Sequence, residues 1–138
     1  MTDATNSLLP WDALVTFVYA TDLDAMDAFY MDLCGLELAL DQGSCHIYKV
    51  RHGAYLGVCQ CEDAPDTSGV IVTLVSDAVD AWYEAFQRAD IPCEDAPKLN
   101  ERFGIYHFFA RDPAGWRVEI QRFVAPPLPG VGASGKAG

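Results

Sequence analysis

One pattern of β-prone and helix-prone segments occurs twice in the chain, at an offset of about 55 to 62 residues. Each copy begins with a β-prone run, VTFVYA from position 15 and VIVTLV from position 70. A segment that starts with aspartate follows, and its apolar residues recur every three or four positions, as on the buried face of a helix. Three further β-prone runs complete each copy. The sequence therefore predicts two similar modules with the element order βαβββ.

The chain has 138 residues, the usual length of one domain. We expect a single domain over residues 1–124, with module one at about 12–61 and module two at about 69–123. The segment EDAPDTSG at 62–69 is rich in turn-forming residues and is predicted to link the modules. Residues 125–138 are mostly Pro, Gly and Ala, which predicts a mobile tail.

The charge of the chain bears on its partners. Twenty acidic residues against nine basic ones give a net charge of −11, which would repel a nucleic-acid backbone. No run of about 20 apolar residues indicates a membrane span. The first residues, MTDATNSLLPW, lack the basic and apolar segments of a signal or transit peptide. We therefore predict a cytoplasmic protein that binds neither nucleic acid nor membrane.

The cysteines are odd in number, at positions 34, 45, 59, 61 and 93. In a chain without an export signal this predicts reduced thiols, most of them buried as small apolar side chains. Cys59 and Cys61 would share one face of a strand, but the sequence has no second such pair to complete a four-ligand zinc site.

Two motifs carry a resemblance to a known family. The segments FYMDLCGLEL (29–38) and ARDPAGWRVEIQRF (110–123), together with the repeat, resemble the vicinal oxygen chelate superfamily of glyoxalases, extradiol dioxygenases and bleomycin-resistance proteins. The likeness spans about residues 12–123. It implies an α+β fold whose two modules form a curved eight-stranded mixed sheet around a concave cavity, with the helices outside. It also implies a homodimer.

The resemblance further implies that the last strand of each module faces that cavity. Side chains alternate along a strand, so Arg117 and Glu119 would face inward, and Val118 and Ile120 would meet the helix. The same alternation applied to the other strands directs Val70, Val72 and Leu74 of the fifth strand inward. It yields a site with His107 and Glu119 as catalytic residues and a ligand-binding set of Phe17, Tyr19, Phe109 and Arg117.

Metal-using members of the superfamily hold a divalent ion at four positions on these strands. The corresponding residues here are Val15, Val70, Gly57 and Glu119. Three of them have no ligand atom, and a single carboxylate holds such an ion poorly. We therefore predict no metal and no other cofactor, and we interpret His46 and His52 as structural or exposed.

Several functions remain open at this stage. The resemblance suggests a metal-independent protein of the glyoxalase/bleomycin-resistance type that binds a small organic ligand in an aromatic pocket. The alternative is an enzyme of the same superfamily. It would be either a lyase, isomerase or dioxygenase with a divalent metal held partly by Glu119, or a metal-free lyase or isomerase that uses His107 and Glu119. A third interpretation is a regulatory or structural module with a vestigial pocket. Separately, Glu119 could be a carboxylate without a function that only pairs with Arg117 across a solvated sheet face.

Overall fold

The computed structural model describes residues 9–124, which form two compact units that divide between Pro65 and Asp66. This division falls within the segment 62–69 that the sequence indicates as a linker. The predicted mobile tail at 125–138 lies outside the described residues. Among the described residues, no helix is long and apolar enough to cross a membrane.

Unit one contains a four-stranded sheet and one helical segment. Its elements are β1 (Leu14–Ala20), α1 (Leu23–Asp27), a π-helical continuation of α1 (Ala28–Leu33), β2 (Glu37–Asp41), β3 (Cys45–Arg51) and β4 (Ala54–Gln60). The strands lie in the order β1-β4-β3-β2, with β1 parallel to β4 and the other neighbours antiparallel. Asp22 caps α1, because its Oδ1 accepts a hydrogen bond from the Ala25 amide at 3.0 Å.

Unit two repeats this arrangement. Its elements are β5 (Ile71–Val75), α2 (Val79–Arg88), β6 (Lys98–Asn100), β7 (Ile105–Arg111) and β8 (Arg117–Phe123). The order is β5-β8-β7-β6, and β5 and β8 are the parallel pair. The predicted α+β fold of two βαβββ modules is thus confirmed, with the eight strands divided between two four-stranded mixed sheets.

The core of unit two lies between α2 and one face of its sheet. Phe86 of α2 meets Phe108 of β7 edge to face, with ring centroids 5.5 Å apart. Val118 and Ile120 of β8 are buried on the same face. Burial of apolar area contributes about 25 cal/mol per Å², so this face holds the helix on the sheet. The opposite face of β7 and β8 carries polar side chains together with Phe109.

In unit one a histidine ties the helical segment to the sheet. His46 Nδ1 lies 2.9 Å from Asp27 Oδ1, and its Nε2 lies 3.3 Å from Asp41 Oδ1. Tyr48 donates a hydrogen bond of 2.6 Å to the same Asp27 oxygen. His46 is therefore structural and His52 is exposed, in agreement with the prediction for these two residues.

The cysteine prediction was wrong for two of the five residues. Cys45 and Cys59 are joined in a disulfide. They lie directly opposite each other in the antiparallel β3–β4 ladder, with Cα atoms 4.1 Å apart. This proximity depends on strand register, which a count of cysteines does not reveal. Cys34, Cys61 and Cys93 lie outside this disulfide, as reduced thiols.

We expect alkylation of the unfolded, unreduced protein to label three thiols, and alkylation after reduction to label all five, because only the Cys45–Cys59 pair is oxidised. Intact-mass spectrometry counts the labels, and peptide mapping places them. The variant Cys45→Ser is the control, since it should show four labelled thiols with or without reductant. Five labels on the unreduced wild type would contradict the disulfide.

Candidate functional site

The candidate site lies on the face of β7 and β8 that points away from α2. Tyr106 and Phe108 contact the helix, through a hydrogen bond to Asp80 and through ring packing. His107 and Phe109, which alternate with them along β7, point away from the helix. The alternation predicted for these two strands is therefore confirmed, and the open face carries His107, Phe109, Arg117, Glu119 and Gln121.

A histidine–glutamate pair forms the centre of this face. His107 Nδ1 lies 2.7 Å from Glu119 Oε2, and Thr73 donates a hydrogen bond of 2.9 Å to Glu119 Oε1. His107 is 6% exposed and Glu119 8%. A carboxylate this far from water is costly unless its oxygens are bonded, and here each oxygen has a partner. This bond is made by Nδ1 and not by Nε2, the other nitrogen of the ring.

Arg117 makes a separate ion pair. It binds Glu94 through two hydrogen bonds, 2.8 Å from Nε to Oε2 and 2.7 Å from Nη2 to Oε1. Its guanidinium lies 3.7 Å from the centroid of the Phe109 ring. The interpretation of Glu119 as the direct partner of Arg117 is therefore wrong. The hydrogen bonds from Arg117 hold the pKa of Glu94 below its ordinary value, and Glu94 in turn raises the pKa of Arg117.

Sequence reasoning missed Glu94 because this residue lies outside the regular strands. Its segment runs beside β7, where Cys93 forms an isolated bridge with Ala110 and the Glu94 amide donates to the Phe109 carbonyl at 2.9 Å. The short run IPCED (91–95) predicts a β-prone segment and nothing more specific. Nothing in that run indicates which strand it would lie against.

The predicted facing of the fifth strand was off by one residue. In the parallel β5–β8 ladder, Thr73 is the partner of Glu119, and Ile71 is the partner of Arg117. The open face of β5 thus carries Ile71, Thr73 and Val75, whereas Val72 and Leu74 were expected there and Val70 precedes the strand. Alternation sets which residues share a face, but the choice of face depends on pairing with the neighbouring strand.

The two remaining predicted site residues lie in unit one. Phe17 is 47% exposed and Tyr19 is 52% exposed on the edge strand β1. Phe17 is the ladder partner of Gly57, and its ring fills the space that a Cβ at Gly57 would need. Four of the six predicted site residues therefore lie together on the face in unit two, and Phe17 and Tyr19 belong to the other unit.

The residues present do not fit the divalent metal that some members of the superfamily bind. Of the four corresponding positions, only Glu119 has a ligand atom, and its two oxygens are bonded to His107 and Thr73. Within residues 9–124 no three histidine, cysteine or carboxylate side chains are grouped so that they could hold a metal ion.

Two cavities adjoin the Arg117–Glu94 ion pair. The smaller, about 100 Å³, is lined by His107, Phe109 and the segment that carries Glu94. The larger, about 580 Å³, is lined by residues 67–71 together with Glu94, Arg111 and Arg117. Because Arg117 and Glu94 line both cavities, their ion pair is the shared wall between them.

Comparison with family models gives a match to the Glyoxalase/Bleomycin resistance protein/Dioxygenase superfamily over residues 13–120. The chain belongs to this superfamily. The resemblance that the sequence motifs indicate is thus confirmed. A search of curated protein sequences found no match.

Several solved structures share the fold. A lactoylglutathione lyase from Agrobacterium tumefaciens is 29% identical, with a TM-score of 0.66, over 82% of this chain and 94% of that one. A glyoxalase/bleomycin resistance protein/dioxygenase from Nocardioides is 16% identical, with a TM-score of 0.69, over 96% and 98%. The fosfomycin resistance protein FosX from Listeria monocytogenes is 10% identical, with a TM-score of 0.70, over 85% and 97%. The last two are similar in fold alone.

We expect Glu94→Gln to lower the free energy of unfolding by about 0.5–1 kcal/mol near neutral pH, the range for a partly exposed ion pair. The folded-state pKa of Glu94 lies below its ordinary value of 4.5. The stabilisation is therefore fully present above that ordinary value and is lost as the pH falls through the lower, folded-state value.

Urea unfolding of both proteins across the acidic range measures this difference. Glu84→Gln, a change at an exposed residue of α2, is the matched control and should leave the stability unchanged. A difference between wild type and Glu94→Gln that persists at the acid end of the range would contradict the assigned ion pair.

Proposed function

We propose that this protein binds a small organic molecule on the open face of β7 and β8, without a resident metal, and that His107 exchanges a proton with the bound molecule. The observation that carries this proposal is the buried hydrogen bond between His107 and Glu119, next to the Phe109 ring and its arginine. A polar pair beside an aromatic surface is the composition that small-molecule sites have.

The His107–Glu119 bond prepares the imidazole for acid–base chemistry. With a proton on Nδ1 shared with Glu119, the neutral ring presents Nε2 as a proton acceptor. Glu119 thus orients His107, and His107 is the group that would touch the ligand.

Phe109 supplies the apolar surface of the proposed site. Its ring packs against the His107 ring with centroids 5.1 Å apart, and the Arg117 guanidinium lies against it. A flat or aromatic ligand would gain apolar contact here, while the flanking charged groups would orient it. The proposal concerns unit two, and the prediction that Phe17 and Tyr19 also bind the ligand stays a prediction.

A second candidate is an enzyme of the same superfamily, a lyase, isomerase or dioxygenase, that uses a divalent metal. The observation in its favour is the 29% identity to a lactoylglutathione lyase over 82% of this chain. The lack of a ligand atom at three of the four corresponding positions argues against a metal enzyme. Metal content therefore separates the two candidates.

We expect ligands that raise the melting temperature of the wild type to lose affinity for Phe109→Ala by about tenfold, because the variant removes several tens of Å² of apolar contact at about 25 cal/mol per Å². Phe103→Ala is the matched control, since this phenylalanine is 63% exposed and packs under Arg102. Glu119→Gln should change which ligands bind best and abolish any turnover.

Thermal shift with a library of small organic molecules, followed by titration calorimetry on each variant, measures these effects. Each variant is compared with its own ligand-free melting temperature, so a general loss of stability does not count. Equal stabilisation of wild type, Phe109→Ala and Glu119→Gln by every ligand would place the site elsewhere.

We expect the purified protein to contain no stoichiometric divalent metal, because three of the four family positions lack a ligand atom and no other group of donors replaces them within residues 9–124. Elemental analysis of protein prepared without chelator measures this. One firmly held Zn, Mn, Fe or Ni per chain that is lost in Glu119→Ala would support the second candidate and overturn the first.

We also propose that the protein forms a homodimer with two-fold symmetry. Apolar side chains on the edge strands support this, for example Leu14 of β1 at 67% exposure and Ile71 of β5 at 48%. Light scattering at micromolar concentration should give twice the chain mass of 15.1 kDa, and a mass equal to one chain would rule the dimer out.

A further inference from the structure

The larger cavity next to the candidate site has a positively charged lining, whereas the chain as a whole is acidic. We call it the arginine groove and define it by its lining residues, Thr67, Ser68, Gly69, Val70, Ile71, Glu94, Arg111 and Arg117. Its volume is about 580 Å³, enough for a small organic molecule. The charged residues in this lining are two arginines and one glutamate, in a chain whose net charge is −11.

The glutamate neutralises only one of the two arginines. Both carboxylate oxygens of Glu94 are hydrogen-bonded to Arg117. Arg111 Nη2 lies 3.8 Å from the nearer of these oxygens, beyond hydrogen-bonding distance, and its Nη1 donates to the Gly115 carbonyl at 3.1 Å. The Arg111 side chain is 44% exposed. The groove therefore presents one guanidinium charge that no carboxylate within residues 9–124 neutralises through a hydrogen bond.

The groove and the His107 cavity meet at the Arg117–Glu94 pair, which lines both. A molecule with one end at Arg111 would pass along Arg117 and the Phe109 ring toward His107. This placement rests on the proposed function, because it assumes that the ligand lies over Phe109.

We propose that the ligand of this site is a small carboxylic acid with an apolar or aromatic body, and that Arg111 binds its carboxylate. A guanidinium matches a carboxylate in geometry as well as in charge, since two N–H groups can donate to its two oxygens. The uncompensated charge of the groove is one, which a carboxylate balances. A phosphate with two negative charges would place its second charge beside Glu94, so we assign the groove to a carboxylate.

The experiment compares phenylacetate with phenylacetamide, which has nearly the same shape but no charge, and with inorganic phosphate. Titration calorimetry of the wild type should show phenylacetate binding at least about tenfold more tightly than phenylacetamide, the effect of one charge-assisted hydrogen bond. Added salt should reduce this preference. Arg111→Gln should abolish it, because the affinity for phenylacetate should fall at least about tenfold more than the affinity for phenylacetamide.

Arg122→Gln is the matched control. Arg122 lies on the same strand as Arg117 but faces the other way, over the Tyr106 ring at 5.0 Å, so this variant should keep the preference for phenylacetate. The comparison of phenylacetate with phenylacetamide uses the wild type, so it remains valid even if a variant does not fold. Circular dichroism checks that Arg111→Gln is folded.

The other outcomes overturn the inference in distinguishable ways. Equal affinity for acid and amide that still falls in Phe109→Ala would leave the proposed site in place and remove the role of Arg111. Phosphate that binds as tightly as phenylacetate, and only with Arg111 present, would show a general anion site and not a carboxylate site. Failure of both aromatic probes to bind the wild type would refute the inference, while the library screen would still test the proposed function.

Discussion

The hydrogen bond between His107 and Glu119 is the interaction on which the open face of unit two depends. Glu119 lies on β8, an inner strand bonded to β5 on one side and β7 on the other. A carboxylate at 8% exposure in this position would cost several kcal/mol without partners. His107 of β7 and Thr73 of β5 each bond one of its oxygens, so the side chains join the same three strands that the backbone joins. Loss of either partner would leave a buried polar atom unsatisfied.

The polar groups of this face are divided into two separate pairs. Arg117 and Glu119 are neighbours on the same face of β8, yet each is hydrogen-bonded to a different partner, Arg117 to Glu94 and Glu119 to His107. The guanidinium of Arg117 is hydrogen-bonded to Glu94. The Glu119 carboxylate is therefore hydrogen-bonded to His107 and not to Arg117. Under the proposed function, His107 would exchange a proton and Arg111 would bind the carboxylate, so these two roles would belong to different residues.

The sequence predicted the features that depend on local residue patterns. It did not predict the features that depend on pairing between strands distant in the sequence. The repeat and the helical periodicity predicted the two modules, and alternation predicted the facing of His107, Phe109, Arg117 and Glu119. By contrast, the facing of β5 required its register against β8, and the Cys45–Cys59 disulfide required the register of β3 against β4. Glu94 required the position of an irregular segment beside β7. Pattern within one strand contains no information on any of these three pairings.

The two modules share one fold, but unit one has Gly57 at the position where unit two has Glu119. Gly53 and Gly115 both adopt positive φ in the turn before the last strand of a module, and Gly57 and Glu119 each lie four residues later. In the parallel ladders the partner of Gly57 is Phe17, and the partner of Glu119 is Thr73. In unit one the aromatic ring occupies the space over the glycine, whereas in unit two the small threonine leaves room for a carboxylate and donates a hydrogen bond to it. A glutamate at position 57 alone would collide with the Phe17 ring, so an acidic site in unit one would need changes on both strands.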